Sequence, residues 1–89
     1  MHFVYILKSL KSDVHYIGMT NNLERRVNEH NTGQSYWTKR HMPFHLIYFE
    51  GFLSDKDARE REKKLKQFKK GYSEIKKRIT NSLAMVGGG

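Results

Sequence analysis

The sequence predicts an α+β domain in which a three-stranded antiparallel sheet is flanked by helices, in the order ββαβαα. Two aromatic and β-branched runs near the N-terminus are separated by a short polar segment, a pattern typical of a β-hairpin. A third apolar run follows later, and the segments before and after it space their apolar residues as helices do. The length of 89 residues is that of one domain.

The first two strands are predicted at residues 3–8 and 14–19. The first run contains no helix or strand breaker and reads as a strand that is apolar on both faces. If the hairpin turns at residues 10–11, Tyr5 and Tyr16 lie opposite each other on one face of the sheet.

The first helix is expected to begin directly after the second strand. Thr20 or Asn21 can serve as its N-cap, and Asn21 is followed three residues later by Glu24, as in a capping box. Gly33 is the expected C-terminal stop, because glycine readily adopts the left-handed conformation that ends helices.

The second half of the domain begins with a loop over residues 34–43 and a third strand over residues 44–52. Ser54 is then predicted to cap a long charged helix that ends at Gly71. A short helix follows over residues 73–81.

The domain is predicted to span residues 1–81, and residues 82–89 are expected to form a disordered C-terminal tail. The chain ends in three glycines, and such termini are poorly ordered unless something holds them. No second domain and no internal repeat are visible in the sequence.

The formal charge of +8, from 17 Lys and Arg against 9 Asp and Glu, favours a polyanionic partner such as nucleic acid. Most of the excess lies in residues 55–79. The absence of cysteine excludes disulfides and cysteine-based zinc sites. No run approaches the ~20 apolar residues of a membrane helix, and no export signal is visible. A cytoplasmic protein that does not contact membranes is therefore expected.

Two polar residues lie on the apolar stripe of the first predicted helix. Leu23 and Val27 define that stripe, and Arg26 and His30 share it at helical spacing. Burying an unpaired charge is costly, so these side chains require a reason to be there. The plain alternative is that Arg26 reaches solvent at the edge and His30 is a hydrogen-bonded core histidine.

The long charged helix has a similar feature. Ala58, Leu65 and Phe68 define its inward stripe, and Glu62 lies four residues after the first and three before the second. The alternative for Glu62 is an ordinary surface glutamate paired with a lysine.

These groups together suit phosphodiester hydrolysis. A carboxylate can hold Mg²⁺, which keeps several waters and bridges to phosphate oxygens. The metal and an arginine offset charge on the phosphoryl oxygens, and a general base takes a proton from water. One carboxylate is too few for a two-metal site, so a single ion is implied.

At this point the sequence resembles the GIY-YIG nuclease family. Its first motif appears as Phe3-Val4-Tyr5, with Phe3 where the family name has Gly, and its second appears intact as Tyr16-Ile17-Gly18. The stretch from Tyr16 to His30 looks like the small single-domain bacterial members. It is also similar to the N-terminal nuclease domain of an excinuclease. The resemblance covers about residues 2–81 and implies the GIY-YIG fold.

The resemblance implies a set of site residues. In it, Glu62 holds one Mg²⁺ or Mn²⁺ and Arg26 stabilises the transition state, with Arg25 pointing elsewhere. Tyr16, with Tyr5 as its partner, is the expected general base or water-orienting group, and His30 is the alternative. A free phenol needs a nearby cation to lower its pKa from ~10 before it can serve as a base. The full set is Tyr5, Tyr16, Gly18 as a tight backbone turn beside the site, Arg26, His30, Glu62 and Asn81.

The expected function is therefore a metal-dependent endonuclease acting on DNA, structure-selective, in repair or recombination. The alternative is a catalytically weak or inactive module that only binds DNA or RNA. That alternative rests on the charge and on the loop from Tyr36 to His41, where Trp37 can stack on an unpaired base while Lys39 and Arg40 meet phosphates. The opposing view of this loop is that its aromatics pack inward. DNA, branched or single-stranded, is expected before RNA, and the oligomeric state stays open.

Overall fold

The computed structural model describes residues 1–86, apart from the side chain of Lys69, and confirms the predicted α+β class. Its sheet has three antiparallel strands in the order β2-β1-β3. The strands are β1 (His2–Ser9), β2 (His15–Thr20) and β3 (Phe44–Phe52). Strand β1 is therefore central, and β2 and β3 are the two edges.

The hairpin register differs from the predicted one by two residues. Tyr5 pairs with Gly18 rather than with Tyr16. The cause is a turn centred one residue later than expected, with the Ser9 N–H donating to the Val14 carbonyl at 2.9 Å. Because a shift of two residues keeps side chains on the same face, the two tyrosines still share one face, as predicted.

Helix α1 (Leu23–Asn31) begins one or two residues later than expected. Its N-cap is Asn22, whose Oδ1 accepts the Arg25 N–H at 3.1 Å, and not either of the two residues before it. Thr20 is unavailable as a cap because it is still paired in β2. The stop is as predicted: Gly33 lies just past the helix with φ of +78°, a conformation that glycine adopts without strain.

The predicted end of the long helix is wrong. Helix α2 (Asp55–Gln67) begins at the predicted cap Ser54 but ends before Phe68, whose backbone is extended at φ −117° and ψ 111°. Gly71 instead lies inside α3 (Lys69–Arg78). A β-carbon built there would lie 3.2 Å from Leu65, so glycine permits the close packing of α3 on α2.

The C-terminal segment is also more ordered than expected. A break at Ile79 separates α3 from α4 (Thr80–Ala84), so the single helix predicted over residues 73–81 is two helices. Ser82 lies within α4, and Val86 is buried in the core, which contradicts a disordered tail starting at residue 82. Residues 87–89 lie outside the described part of the chain.

The sheet carries a core on each face. Helix α1 covers the face of Tyr5 and Leu7, where Phe44 completes a buried cluster. Helices α2 to α4 cover the opposite face, onto which Val4 and Ile6 point. Because successive side chains of β1 point to opposite faces of the sheet, both tyrosines lie on the face that α1 covers. In residues 1–86, no helix has the length and apolar character needed to cross a membrane.

Candidate active site

Tyr5 lies at the centre of the candidate site. Its side chain is 1% exposed, and its Oη lies 3.1 Å from His30 Nε2. The Tyr16 ring lies beside it, with ring centroids 6.2 Å apart. Strand β1 and the hairpin therefore bring both predicted tyrosines together on the face that α1 covers.

Gly18 serves this cluster differently from the way expected. It lies within β2 without a positive φ, so it makes no tight turn. A β-carbon at this position would lie 2.5 Å from the Tyr5 hydroxyl oxygen and 2.8 Å from a carbon of the Tyr16 ring. The phenol of Tyr5 thus crosses the strand where a side chain would be, which requires glycine.

His30 is fully buried, and both of its ring nitrogens have partners. Nε2 faces Tyr5, and Nδ1 lies 2.7 Å from the Thr38 hydroxyl. The Thr38 hydroxyl donates to the Ser35 carbonyl at 3.5 Å. With the Thr38 hydroxyl oriented to Ser35, its oxygen accepts from Nδ1–H and Nε2 accepts from the Tyr5 hydroxyl, whereas the opposite tautomer reverses both directions.

Burial sets the charge state of the histidine. It lowers the pKa of His30 to about 4, with a further contribution from the positive charge of Arg26. The imidazole is therefore neutral at physiological pH. The interpretation of His30 as a hydrogen-bonded core histidine describes its surroundings correctly, although its partner is a site tyrosine.

Thr38 was not predicted from the sequence. It is 2% exposed and comes from the loop that was expected to face nucleic acid. Only the fold of that loop turns this hydroxyl inward, and a threonine among aromatic and basic residues carries no signal of it.

Arg26 extends from α1 toward the tyrosines with its charge retained. Its Nη1 donates to Glu29 Oε1 at 2.9 Å, and its side chain is 30% exposed. Hydrogen bonding to Glu29 raises the pKa of Arg26, and the phenols of Tyr5 and Tyr16 raise it further. Glu29 is a second residue that was missed, although its spacing of three residues from Arg26 on a helix is a usable signal. Arg25 turns away, toward Asn21 at 3.2 Å.

The acid–base properties of Tyr5 differ from those expected. Burial raises the pKa of Tyr5 to about 12, although hydrogen bonding from Arg26 acts in the opposite direction. Arg26 therefore does not make this phenol a base at neutral pH. Tyr16 is partly exposed and lines an open groove, so it is the tyrosine that a substrate can reach.

Glu62 lies on α2, the helix that packs on the face of the sheet opposite the tyrosines. Its side chain is 25% exposed, and its Oε2 is 3.2 Å from Lys66 Nζ. Pairing with a lysine is what the alternative interpretation of Glu62, as an ordinary surface glutamate, predicts. The negative charge of Glu62 contributes to the raised pKa of Tyr5, so it acts on the tyrosine cluster through space. The stripe that predicted it is partly wrong, because Ala58 is buried but Phe68 is 59% exposed.

The oxygen ligands near Glu62 are few, so a divalent cation held there would take most of its ligands from water or phosphate. Glu62 lines a cavity of about 400 Å³ together with the oxygen-bearing side chains of Asp55, Thr20 and Asn21. Arg59 and His2 also line it, and they lie 2.7 and 3.6 Å from the Asp55 carboxylate. Across residues 1–86, no three His, Cys, Asp or Glu residues group as metal ligands. Such a donor set suits Mg²⁺ or Mn²⁺, which take few protein ligands and keep waters or phosphate oxygens for the rest.

The aromatic and basic residues of the loop after α1 face solvent. Tyr36 and Trp37 are each 81% exposed, and their rings meet edge to face with centroids 6.1 Å apart. Lys39 and Arg40 are exposed on the adjacent short 3₁₀ helix (Lys39–His41). The view that these aromatics pack inward is wrong.

Asn81 is not brought to the tyrosines. It is exposed on α4, whose Leu83 packs on the opposite face of the sheet. Within the part of the chain that the structure describes, no hydrogen bond joins its side chain to the cluster.

Comparison with known proteins gives a consistent result. Residues 1–81 match the family described as the GIY-YIG catalytic domain. A UPF0213 protein of Clostridium perfringens is 43% identical over 68 residues, which cover 75% of this chain and 72% of the relative. One from Natronomonas pharaonis is 36% identical over 74 residues, covering 82% and 86%. The solution NMR structure of a UPF0213 protein from Bacillus halodurans superposes with a TM-score of 0.56 at 28% identity, covering 88% of this chain and 85% of that one.

Proposed function

Because the chain belongs to the GIY-YIG family, we propose that it is a metal-dependent endonuclease that hydrolyses phosphodiester bonds in DNA. The observation that carries the proposal is the position of Arg26. Its guanidinium is charged, partly exposed and set against two sheet tyrosines. A fixed cation beside proton-transferring groups is what a negatively charged phosphoryl transition state requires.

Arg26 is the group that offsets charge on the phosphoryl oxygens. Glu29 holds the guanidinium through Nη1 and the two phenols interact with it as well, so the remaining N–H groups are the ones that donate to phosphate. An arginine suits this role because its planar donors match two phosphate oxygens at once.

Tyr16 orients or deprotonates the attacking water in this proposal. Tyr5 and His30 are buried, and their pKa values of about 12 and about 4 make each a poor base at neutral pH. They instead form a supporting chain in which His30 holds the Tyr5 hydroxyl in place. The accessible phenol is that of Tyr16.

Glu62 holds one Mg²⁺ or Mn²⁺ in this proposal. When bound, the ion supplies Lewis-acid polarisation of the phosphate. Lys66 now neutralises the Glu62 carboxylate, so metal binding requires this pair to loosen. An affinity that depends on the presence of substrate phosphate follows from such a site.

The nucleic-acid contacts of the proposal come from the exposed loop. Trp37 can stack on an unpaired base, and Lys39 and Arg40 can bind phosphates. Phosphate and stacking contacts carry little sequence information. We therefore propose selection by DNA structure, such as a branch or a single-stranded end, in repair or recombination.

Cleavage assays with matched variants test the function. Branched, nicked, single-stranded and duplex DNA are incubated with Mg²⁺ or Mn²⁺ and the wild type, Glu62→Gln or Tyr16→Phe. We expect each variant to lose at least ~100-fold in rate, the lower range for a positioned acid–base group. Glu60→Gln, two residues away and exposed, should retain activity. Tyr36→Phe should also retain it, because phenylalanine keeps the ring that can stack and removes only the hydroxyl. Full metal-dependent activity of both site variants refutes the assignment.

A second candidate function is a binding module without catalysis. The exposed pair of Tyr36 and Trp37 favours it, because stacking surfaces alone suffice for binding. The same DNA panel separates the two functions. A binder retains DNA in the presence of either metal without cutting any of the substrates.

A further inference from the structure

A groove of about 690 Å³ runs beside the outer edge of β2, between this strand and helices α2 and α3. Tyr16 lines one part of it, so the groove opens next to the candidate active site. Its other lining residues include two lysines, two further rings and one carboxylate, that of Asp13. The residues that matter here are His15, Lys66, Tyr72 and Lys76.

Lys76 is held at this groove by an aromatic ring. Its Nζ lies 5.3 Å from the centroid of the Tyr72 ring, and within residues 1–86 it forms no ion pair. The next residue, Lys77, pairs instead with Glu74 at 3.7 Å. Of these two neighbouring lysines, Lys76 is thus the one whose charge is left for a ligand.

Lys66 connects the groove to the proposed metal ligand. It lines the groove and lies 3.2 Å from the Glu62 carboxylate. Its ammonium borders the groove without any metal, while it pairs with Glu62. Two cations thus border a volume within the ~300–1,000 Å³ range of ligand sites.

Two aromatic rings form the remaining wall. His15 meets the Tyr72 ring edge to face, with centroids 4.9 Å apart. Burial and the charges of Lys8 and Lys76 lower the pKa of His15, although Asp13 acts in the opposite direction, so the ring is uncharged at neutral pH. Uncharged rings next to cations are the usual components of a single-strand binding surface.

We propose that this groove binds a nucleotide of single-stranded DNA adjacent to the scissile phosphate. Lys76 and Lys66 contact its phosphate, and the rings of Tyr72 and His15 contact its base. The inference rests on the proposed function and extends it, because it names a substrate strand and its path past Tyr16. A single strand fits because a base can reach the rings only when it is unpaired.

The test measures binding without metal, so that no cleavage is involved. A fluorescent oligothymidylate of about twelve nucleotides is titrated with the full chain in EDTA, and anisotropy is recorded over a salt series. We expect Lys76→Ala to weaken binding about threefold to tenfold, with the salt slope reduced by ~0.7 for one lost phosphate contact on a single strand.

Two controls remove the same charge from outside the groove. Lys77→Ala removes a lysine from the same helix as Lys76, and it should stay within about twofold of the wild type. Lys63→Ala removes an exposed lysine from α2, the helix of Lys66, and it should also stay within about twofold. Thermal unfolding of each variant verifies that it is folded.

The outcomes separate this inference from the proposed function. Equal losses of DNA affinity for Lys76→Ala and Lys77→Ala, or no loss for either, contradict the proposal that this groove binds DNA. So does equal sensitivity with a duplex of the same sequence. Binding that depends on Lys76, without cleavage of any DNA under Mg²⁺ or Mn²⁺, supports the groove and contradicts the endonuclease.

Discussion

At the scale of single residues, Thr38 links the exposed loop to the buried cluster. Its hydroxyl lies 2.7 Å from His30 Nδ1, while the preceding residue, Trp37, is 81% exposed. One side chain thus faces the solvent and the next orients an imidazole. The contact couples the tautomer of His30 to the orientation of the Thr38 hydroxyl: when Nδ1 carries the proton, Tyr5 donates to Nε2.

We predict that Thr38→Val destabilises the protein by about 1–3 kcal/mol, because it leaves a buried ring nitrogen without a partner. Thr38→Ser keeps the hydroxyl and should lie near the wild type. Urea unfolding measures both variants, and ¹⁵N chemical shifts of the imidazole report the tautomer. A valine variant with wild-type stability and an unchanged tautomer contradicts the role of this hydrogen bond.

The sequence predicted those residues of the candidate site whose polar side chains interrupt an apolar pattern. Arg26 and His30 stood out because polar groups occupied an apolar stripe, and both lie in the cluster. Thr38 and the contact role of Gly18 did not stand out, since each depends on a neighbour brought close only by tertiary structure. The pKa of Tyr5 could not be predicted from the sequence either. Burial raises this pKa by more than hydrogen bonding from Arg26 lowers it.

At the scale of elements, a bidentate ion pair fastens α2 to the edge strand β3. Arg61 donates from Nε and Nη2 to the two carboxylate oxygens of Glu50, each at 2.8 Å. Tyr48 donates to the same carboxylate at 2.7 Å. The side chains of the pair are 31% and 19% exposed, so solvent screens this pair less than the exposed pairs of α2.

We predict that Arg61→Ala lowers the free energy of unfolding by about 1–2 kcal/mol at pH 7, since it removes a bidentate charged pair. Arg59→Ala removes an exposed pair from the same helix and should change stability by less than about 0.5 kcal/mol. Chemical denaturation of both variants provides the measurement.

The pH dependence of this effect has a definite sign. Hydrogen bonding from Arg61 lowers the pKa of Glu50 in the folded state. The pair therefore stabilises the fold above the pKa of the unfolded carboxyl, and this contribution is lost as pH falls through the lowered folded value. The difference between wild type and Arg61→Ala should be full at pH 7 and shrink below the ordinary range of a glutamate. A difference that grows on acidification contradicts it.

Element bounds were predictable where a local signal marks them. Strand β3 was predicted at its observed bounds, and Ser54 caps α2 through the Asp57 N–H at 3.2 Å, as expected. The end of α2 was not predictable from Gly71, because this glycine does not mark the end of a helix. It allows α3 to pack closely against Leu65. The hairpin register likewise depended on a turn whose length has no local signature.

At the scale of the whole molecule, the proposed binding of DNA should have two contributions that can be measured separately. The charge of +8 gives a salt-dependent attraction to phosphates, and the exposed aromatics give stacking. The fold class and the pairing of tyrosines with an α1 arginine followed from periodicity and motif. The distribution of elements over two faces required the structure.

We predict that Trp37→Ala weakens single-stranded DNA binding about fivefold or more without altering its salt slope, because stacking releases no counterions. The double change of Lys39 and Arg40 to Ala should instead reduce the slope by ~1.4, or ~0.7 per phosphate contact. Anisotropy titrations over a salt series distinguish them. A reduced slope for Trp37→Ala, or an unchanged one for the double variant, contradicts this division.

The space above Gly18 couples two positions that lie thirteen residues apart. The phenol of Tyr5 occupies the volume that a β-carbon at position 18 would need, and it continues to His30. A side chain cannot enter at position 18 while the ring at position 5 is present, and the Tyr16 ring, 2.8 Å from that β-carbon, would have to shift as well. The two motifs therefore form one unit of substitution, because the tyrosines at positions 5 and 16 can both keep their places only if position 18 is glycine.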